Sequence, residues 1–197
     1  MELLLSVCIG LGLSAACGFR IFVPLLVTSI AAHSGHLNLA SSFQWIGSPA
    51  ALTAFSIATA LEIGGYYIPW VDHFLDTVAT PAAVVAGTVV TASMVTDVSP
   101  FLKWSLAVVA GGGVAGVVQA TTVLARGLSL AGTGGLGNPV IATAELGGSI
   151  LTAIAAIIAP FFALGLIVLL LGIAGYKLLR RKNGELPPVI SNPAGIA

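Results

Sequence analysis

The 197-residue sequence predicts an all-α, polytopic membrane protein with about six transmembrane helices arranged as a 3+3 inverted repeat. Three observations carry that reading. Hydrophobic residues make up 57% of the chain and charged residues 7%, with a mean hydropathy of +1.08, whereas soluble domains carry about a quarter charged residues. The apolar residues gather into stretches near the ~20 that a helix needs to cross a ~30 Å hydrocarbon core. Each half of the chain also repeats one order of arginine, proline, glutamate and glycine signals. The same composition excludes a water-soluble enzyme and a disordered chain. Seven basic residues against seven acidic ones leave no basic surface for nucleic acid.

The elements follow in order. The amino end, Met1-Glu2-Leu3-Leu4-Leu5, lacks the basic region of a secretion signal and reads as part of a retained first span. That stretch covers residues 3–32, too long for one simple crossing, and is interrupted by Gly18, Arg20 and Pro24. A polar loop is expected over 33–47 and a second span over 49–67. Residues 68–76, amphipathic and aromatic, read as an interfacial segment. A third span over 80–95 is opened by Pro81, and a turn around Pro100 fills 97–103. The fourth span covers 104–126, a glycine-rich linker 127–137, the fifth span starts at Pro139, and the sixth runs from Pro160 to Tyr176. Residues 1–176 form one integral domain with repeat halves 3–98 and 101–176, and 177–197 a disordered basic tail. Four of the seven basic residues lie in that tail. The positive-inside bias therefore puts the carboxyl end in the cytoplasm. Six crossings would put the amino end there too, in the inner membrane or an equivalent internal membrane.

The repeat is visible residue by residue. Gly47-Ser48-Pro49 matches Gly137-Asn138-Pro139, each pairing an N-cap side chain with proline at the first helical position. Ile57-Ala58-Thr59-Ala60-Leu61-Glu62 is followed by Gly64-Gly65, as Ile141-Ala142-Thr143-Ala144-Glu145 is followed by Gly147-Gly148. Arg20 and Arg126 precede the two motifs. Three spans per half give the copies opposite orientation, as in transport folds with the working site at the repeat interface.

Ionisable groups inside a span are costly and face a partner or a wet cavity. Arg20, Glu62, Arg126 and Glu145 qualify. Two carboxylates at similar depth share protons poorly, so Glu62 and Glu145 are candidates to load H⁺ or Na⁺. Arg20 is their counter-charge or the contact for an anionic solute, and Asn138 lies at the amino end of the same helix as Glu145. The other reading is a structural ion pair of Arg20 with one glutamate. Asp72 and Asp76 share a helix face at i, i+4 and join the candidate set; as a solvated acidic face they would do nothing further. His33 and His36 read as exposed loop. Cys8 and Cys17, nine positions or about 13 Å apart along a helix, are too distant for a disulfide. Gly132-Thr133-Gly134-Gly135-Leu136-Gly137 matches G-x-G-x-x-G but follows no strand, so it is no dinucleotide site. Gly112 and Gly116 suit close helix contact.

These residues together resemble a known family, the bacterial and plastid membrane proteins grouped as domain of unknown function 4126. The likeness lies in Gly18-Phe19-Arg20 with Pro24, in Glu62 followed by Ile68-Pro69-Trp70-Val71-Asp72 and Asp76, in Pro81-Ala82-Ala83 with Gly87, and in Asn138-Pro139 with Glu145. It spans residues 1–175. Where the family pattern often has Lys, Arg and Asp, this chain has Ile68, Thr80 and Leu146. The resemblance implies a helical membrane fold and brings no established activity.

The expected function is a small transporter or channel, H⁺- or Na⁺-coupled, for a small solute, without enzymatic activity, metal or cofactor. Its partners are the lipid bilayer and an ion or solute, with a homo-oligomer left open. A non-transporting scaffold or lipid-organising protein is the alternative. An intramembrane enzyme using Asp72 and Asp76 with a metal is a third reading.

Overall fold

The computed structural model describes residues 1–183 and contains no strand among them. Eight α-helices are formed: α1 (Glu2–Phe19), α2 (Phe22–His33), α3 (Pro49–Gly65), α4 (Pro69–Met94), α5 (Pro100–Leu106), α6 (Gly113–Thr133), α7 (Asn138–Ile158) and α8 (Pro160–Asn183). A 3₁₀ segment, Ser41–Gly47, precedes α3, and a π-helical segment, Ala107–Gly112, joins α5 to α6. The chain divides into two compact units, Met1–Leu164 and Gly165–Ala197.

Helix α1 is the central strut, and its contacts set the direction of its neighbours. It runs antiparallel to α4, with Gly10 against Thr91 and Ser14 against Gly87. It is also antiparallel to α7, with Gly12 against Ala156 and Ser149 Oγ donating to Ala16 O at 3.0 Å. It lies parallel to the π segment and α6, where Ser14 Oγ donates to Gly111 O and Gly18 meets Ala115. Glu2, Met94, Pro100 and Ile158 therefore share one end of the bundle, the near end. Phe19, Arg126 and Asn138 lie toward the far end.

The first apolar stretch does not cross once. At Arg20 the backbone is extended (φ −147°, ψ 134°), and α2 turns back toward the near end. There Gly47 packs on Ala32, Ser29 Oγ donates to Ile46 O (2.6 Å), and Ala40 N–H donates to Ser93 O (2.8 Å). Residues 3–32, too long for one simple crossing, are a helical hairpin with its turn at Arg20-Ile21. Helix α3 then runs down again beside α2.

Other boundaries shift for local reasons. Pro81 does not start a helix; it lies inside α4, which starts at Pro69. Proline at the first helical position loses nothing, because that N–H has no intrahelical partner. Pro81 forgoes one i→i−4 bond, a loss that long apolar helices tolerate better than soluble ones. Pro100 likewise opens α5, with Ser99 Oγ accepting from Leu102 N–H, in place of the expected turn. Helix α6 continues through the predicted linker to Thr133 and stops where Gly134 takes a left-handed φ of 62°. Helix α8 reaches Asn183, so the start of the expected disordered tail is helical; residues 184–197 lie outside the described residues.

Ser48 caps α3 as expected, its Oγ accepting from Ala51 N–H at 3.2 Å. Ser48→Ala is expected to cost about 1 kcal/mol, read as a lower melting temperature, and an unchanged one would remove the cap from the account. Asn138 differs. It is the first residue of α7, and Gly137 occupies the cap position without a side-chain bond.

Among the described residues four helical stretches are long and apolar enough to cross a membrane: Glu2–Phe19, Phe74–Met94, Pro100–Thr133 and Asn138–Ile158. A fifth arises if Ser41–Gly47 and Pro49–Gly65, bent by 62°, count as one. Phe22–His33 and Pro160–Leu169 are shorter apolar helices. At the near end the Phe43 and Trp104 rings meet at 6.3 Å, and Lys103 Nζ lies 5.3 Å from the Phe43 ring centre. This aromatic and basic composition suits a membrane interface.

Candidate functional site

Four ionisable side chains, Arg20, Glu62, Arg126 and Glu145, are each more than nine-tenths buried, and all lie toward the far end. Arg20 stands at the hairpin turn. Its Nη2 donates to Ala142 O at 2.8 Å and lies 3.5 Å from Glu145 Oε2. Its Nε and Nη1 are buried without a hydrogen-bond partner among the described residues. Glu145, two turns into α7, also receives Arg126: Nε donates to Oε1 at 3.0 Å and Nη2 to Oε2. This two-pronged contact is the geometry in which guanidinium and carboxylate pair best. Arg126 Nη1 reaches Asp76 Oδ1 of α4 at 3.2 Å. Both guanidinium carbons lie over the Tyr66 ring, at 3.7 Å for Arg20 and 4.1 Å for Arg126, within the range of cation–π attraction.

Glu62 stands apart from this chain of ion pairs. Its Oε1 accepts from Ile21 N–H at 2.7 Å and its Oε2 from Phe22 N–H at 3.0 Å. These are donors that the start of α2 leaves unmade, and an anion is favoured there by the helix dipole. The break in the first apolar stretch thus finds its cap in a carboxylate from α3. Among the described residues no cationic side chain comes within ion-pair distance of Glu62.

Glu62 also lines a cavity of about 800 Å³ between α3, α4 and the start of α2. The space exists because α3 and α4 touch only sparsely, with Gly64 and Gly65 at the end of α3. Among the described residues its walls are otherwise apolar apart from Tyr66, with Phe22, Leu61, Phe74, Leu75 and Val78 prominent.

The sequence candidates therefore divide. Arg20, Glu145 and Asp76 meet in one network, and Glu62 sits on the backbone beside it. Asn138 is buried at the start of α7, one turn before Ala142, and serves as no helix cap. Asp72 lies on α4, and its side chain falls outside the described residues. Arg126 is legible in the sequence as an embedded charge and stands outside the candidate set, yet it pairs with both Asp76 and Glu145. Tyr66 was not singled out at all; its signal was an aromatic residue one turn after Glu62.

The element Glu62…Pro69-x-x-Asp72-x-x-x-Asp76 thus ends on a residue bound to Arg126. Residues 7–180 match the family model described as "Domain of unknown function (DUF4126)". The chain belongs to the DUF4126 family. No curated protein and no solved structure gives a significant match. The match to the DUF4126 model takes in every residue of the buried network, from Arg20 to Glu145. Among the described residues of this DUF4126 chain, no group of three or more His, Cys, Asp and Glu stands close enough to hold a metal ion.

Proposed function

We propose that this DUF4126 chain is a small, non-enzymatic membrane transporter or channel whose coupling group is Glu62. The observation that carries the proposal is a carboxylate seated on a broken helix at the wall of a cavity. Interrupted helices whose free ends meet a polar group near the bundle interior are how transporters build ion and solute sites. A buried carboxylate bonded to backbone N–H groups and not ion-paired to a cationic side chain has capacity for H⁺ or Na⁺. The Asp76–Arg126–Glu145–Arg20 chain would hold the surrounding helices in register.

The finer architecture belongs to the same proposal. Two halves, about 3–98 and 101–176, form an inverted repeat within a protein of about six apolar segments. Support comes from α3 and α7, which carry the matching Gly-polar-Pro motifs and run in opposite directions. On the positive-inside bias the basic tail lies in the cytoplasm. The setting would be an inner or equivalent internal membrane, and self-association is compatible with the apolar exterior.

The test is flux into proteoliposomes, followed with an entrapped pH dye and with labelled sodium. Glu62→Gln is expected to lower driven H⁺ or Na⁺ movement by about tenfold or more, since the amide cannot carry the charge. Wild-type flux in a folded Glu62→Gln protein would end the proposal. One observation favours a second reading, a non-transporting scaffold: both Glu62 oxygens and both Glu145 oxygens are already bonded within the protein. Under it, Glu62→Gln would lower the melting temperature and leave no flux to lose.

A further inference from the structure

We infer that the cavity between α3 and α4 is a binding site for a single-chain amphiphile whose polar end is a protonated amine. This deepens the proposed function by naming a solute class, and it rests on Glu62 being the working acid of that site.

The volume of about 800 Å³ falls within the ~300–1,000 Å³ of small-molecule pockets, which are mostly apolar with a few placed polar groups. Among the described residues the placed groups are Glu62 and Tyr66, both buried on α3 or at its end. A carboxylate accepts hydrogen bonds and donates none, so the ligand's polar end must be a donor. Among the described residues Glu62 is the one charged group in the wall, and its hydrogen-bond partners are the backbone N–H groups of Ile21 and Phe22 rather than a cationic side chain. Neither Arg20 nor Arg126 contributes to the wall, which argues against an anionic head. The apolar sides, from Leu61 on α3 to Phe74 and Val78 on α4, are themselves exposed at the outer rim. A hydrocarbon chain can therefore reach the site sideways from the bilayer.

The experiment uses the full chain in phosphatidylcholine nanodiscs, titrated with dodecylammonium, dodecanol and dodecanoate. Bound ligand is counted by native mass spectrometry. The ammonium is expected to bind roughly tenfold or more tighter than the other two, the scale of one charge-assisted hydrogen bond. Glu62→Gln should bring ammonium and alcohol to equal affinity. Because Glu62 also caps α2, a second variant keeps the test independent of folding. A side chain at Gly64, which lines the cavity, would meet nothing within 4 Å. Gly64→Leu should fill the space, leave the melting temperature no lower than that of the wild type and weaken dodecylammonium by about tenfold. Equal binding of the three chains, preference for dodecanoate, or indifference to Gly64→Leu would each overturn the inference. So would full competition by added phosphatidylethanolamine, which would make the occupant a membrane lipid. Selective binding without any flux would sink the transport proposal and leave the site standing.

Discussion

Arg126→Met is expected to destabilise the protein by about 3–5 kcal/mol, the scale for removing one partner of a buried ion pair. The reason is what the substitution leaves behind. Arg126 neutralises both oxygens of Glu145, reaches Asp76 at 3.2 Å and lies 4.1 Å from the centre of the Tyr66 ring. Without it Glu145 retains only Arg20 Nη2 at 3.5 Å, a longer contact in a site closed to water. A domain's whole stability is roughly 5–15 kcal/mol, so a sharp fall in melting temperature and in monodisperse yield should follow. Adding Glu145→Leu removes that carboxylate but takes from buried Arg20 its ion-pair partner, so the double variant should recover only part of the loss. A single variant melting like the wild type would mean that the network holds nothing together.

The second large effect is steric. A methyl group at Gly18 would stand 2.5 Å from Val118 Cβ and 2.6 Å from Ala115 O. The second of these is backbone and cannot rotate away. Gly18→Ala is therefore expected to push α1 off α6 and to cost about 1–3 kcal/mol or more. Gly147 on α7 is the matched control, because a methyl group there meets nothing within 4 Å. Gly147→Ala should stabilise the helix by roughly 0.5–1 kcal/mol, the difference between the two residues in a helix interior. Thermal unfolding in one detergent reads both. Equal shifts for the two variants would show that the close approach of α1 to α6 is not a constraint.

Composition alone made the helical, membrane-type fold legible, because a chain with so few charges has no other way to hide its backbone. Buried charge made most of the site legible too: Arg20, Glu62 and Glu145 were identifiable as polar groups in apolar stretches, and they do gather toward one end of the bundle. The hairpin was not readable. Residues 3–32 carry no run of turn residues, and the reversal at Arg20-Ile21 is stabilised by Glu62, which is 41 positions distant from Ile21. Local pattern cannot report a cap supplied from another helix. Pro81 misled for a related reason. Proline signals a boundary in an isolated helix, whereas α4 packs along α1 and continues past it. Tyr66 escaped notice because its role comes from two arginines brought to its ring by α1 and α6.

The hairpin also imposes an order on synthesis. Arg20 leaves the ribosome early, yet its partners Ala142 and Glu145 are translated more than a hundred codons later. At roughly 5–20 residues per second the guanidinium waits on the order of ten seconds before its carboxylate exists. During that interval the nascent α1–α2 pair must be sheltered by the insertion machinery or by lipid headgroups. A chain released before α7 is complete would carry an unmatched cation in the bilayer, a mark by which a quality-control protease can recognise it.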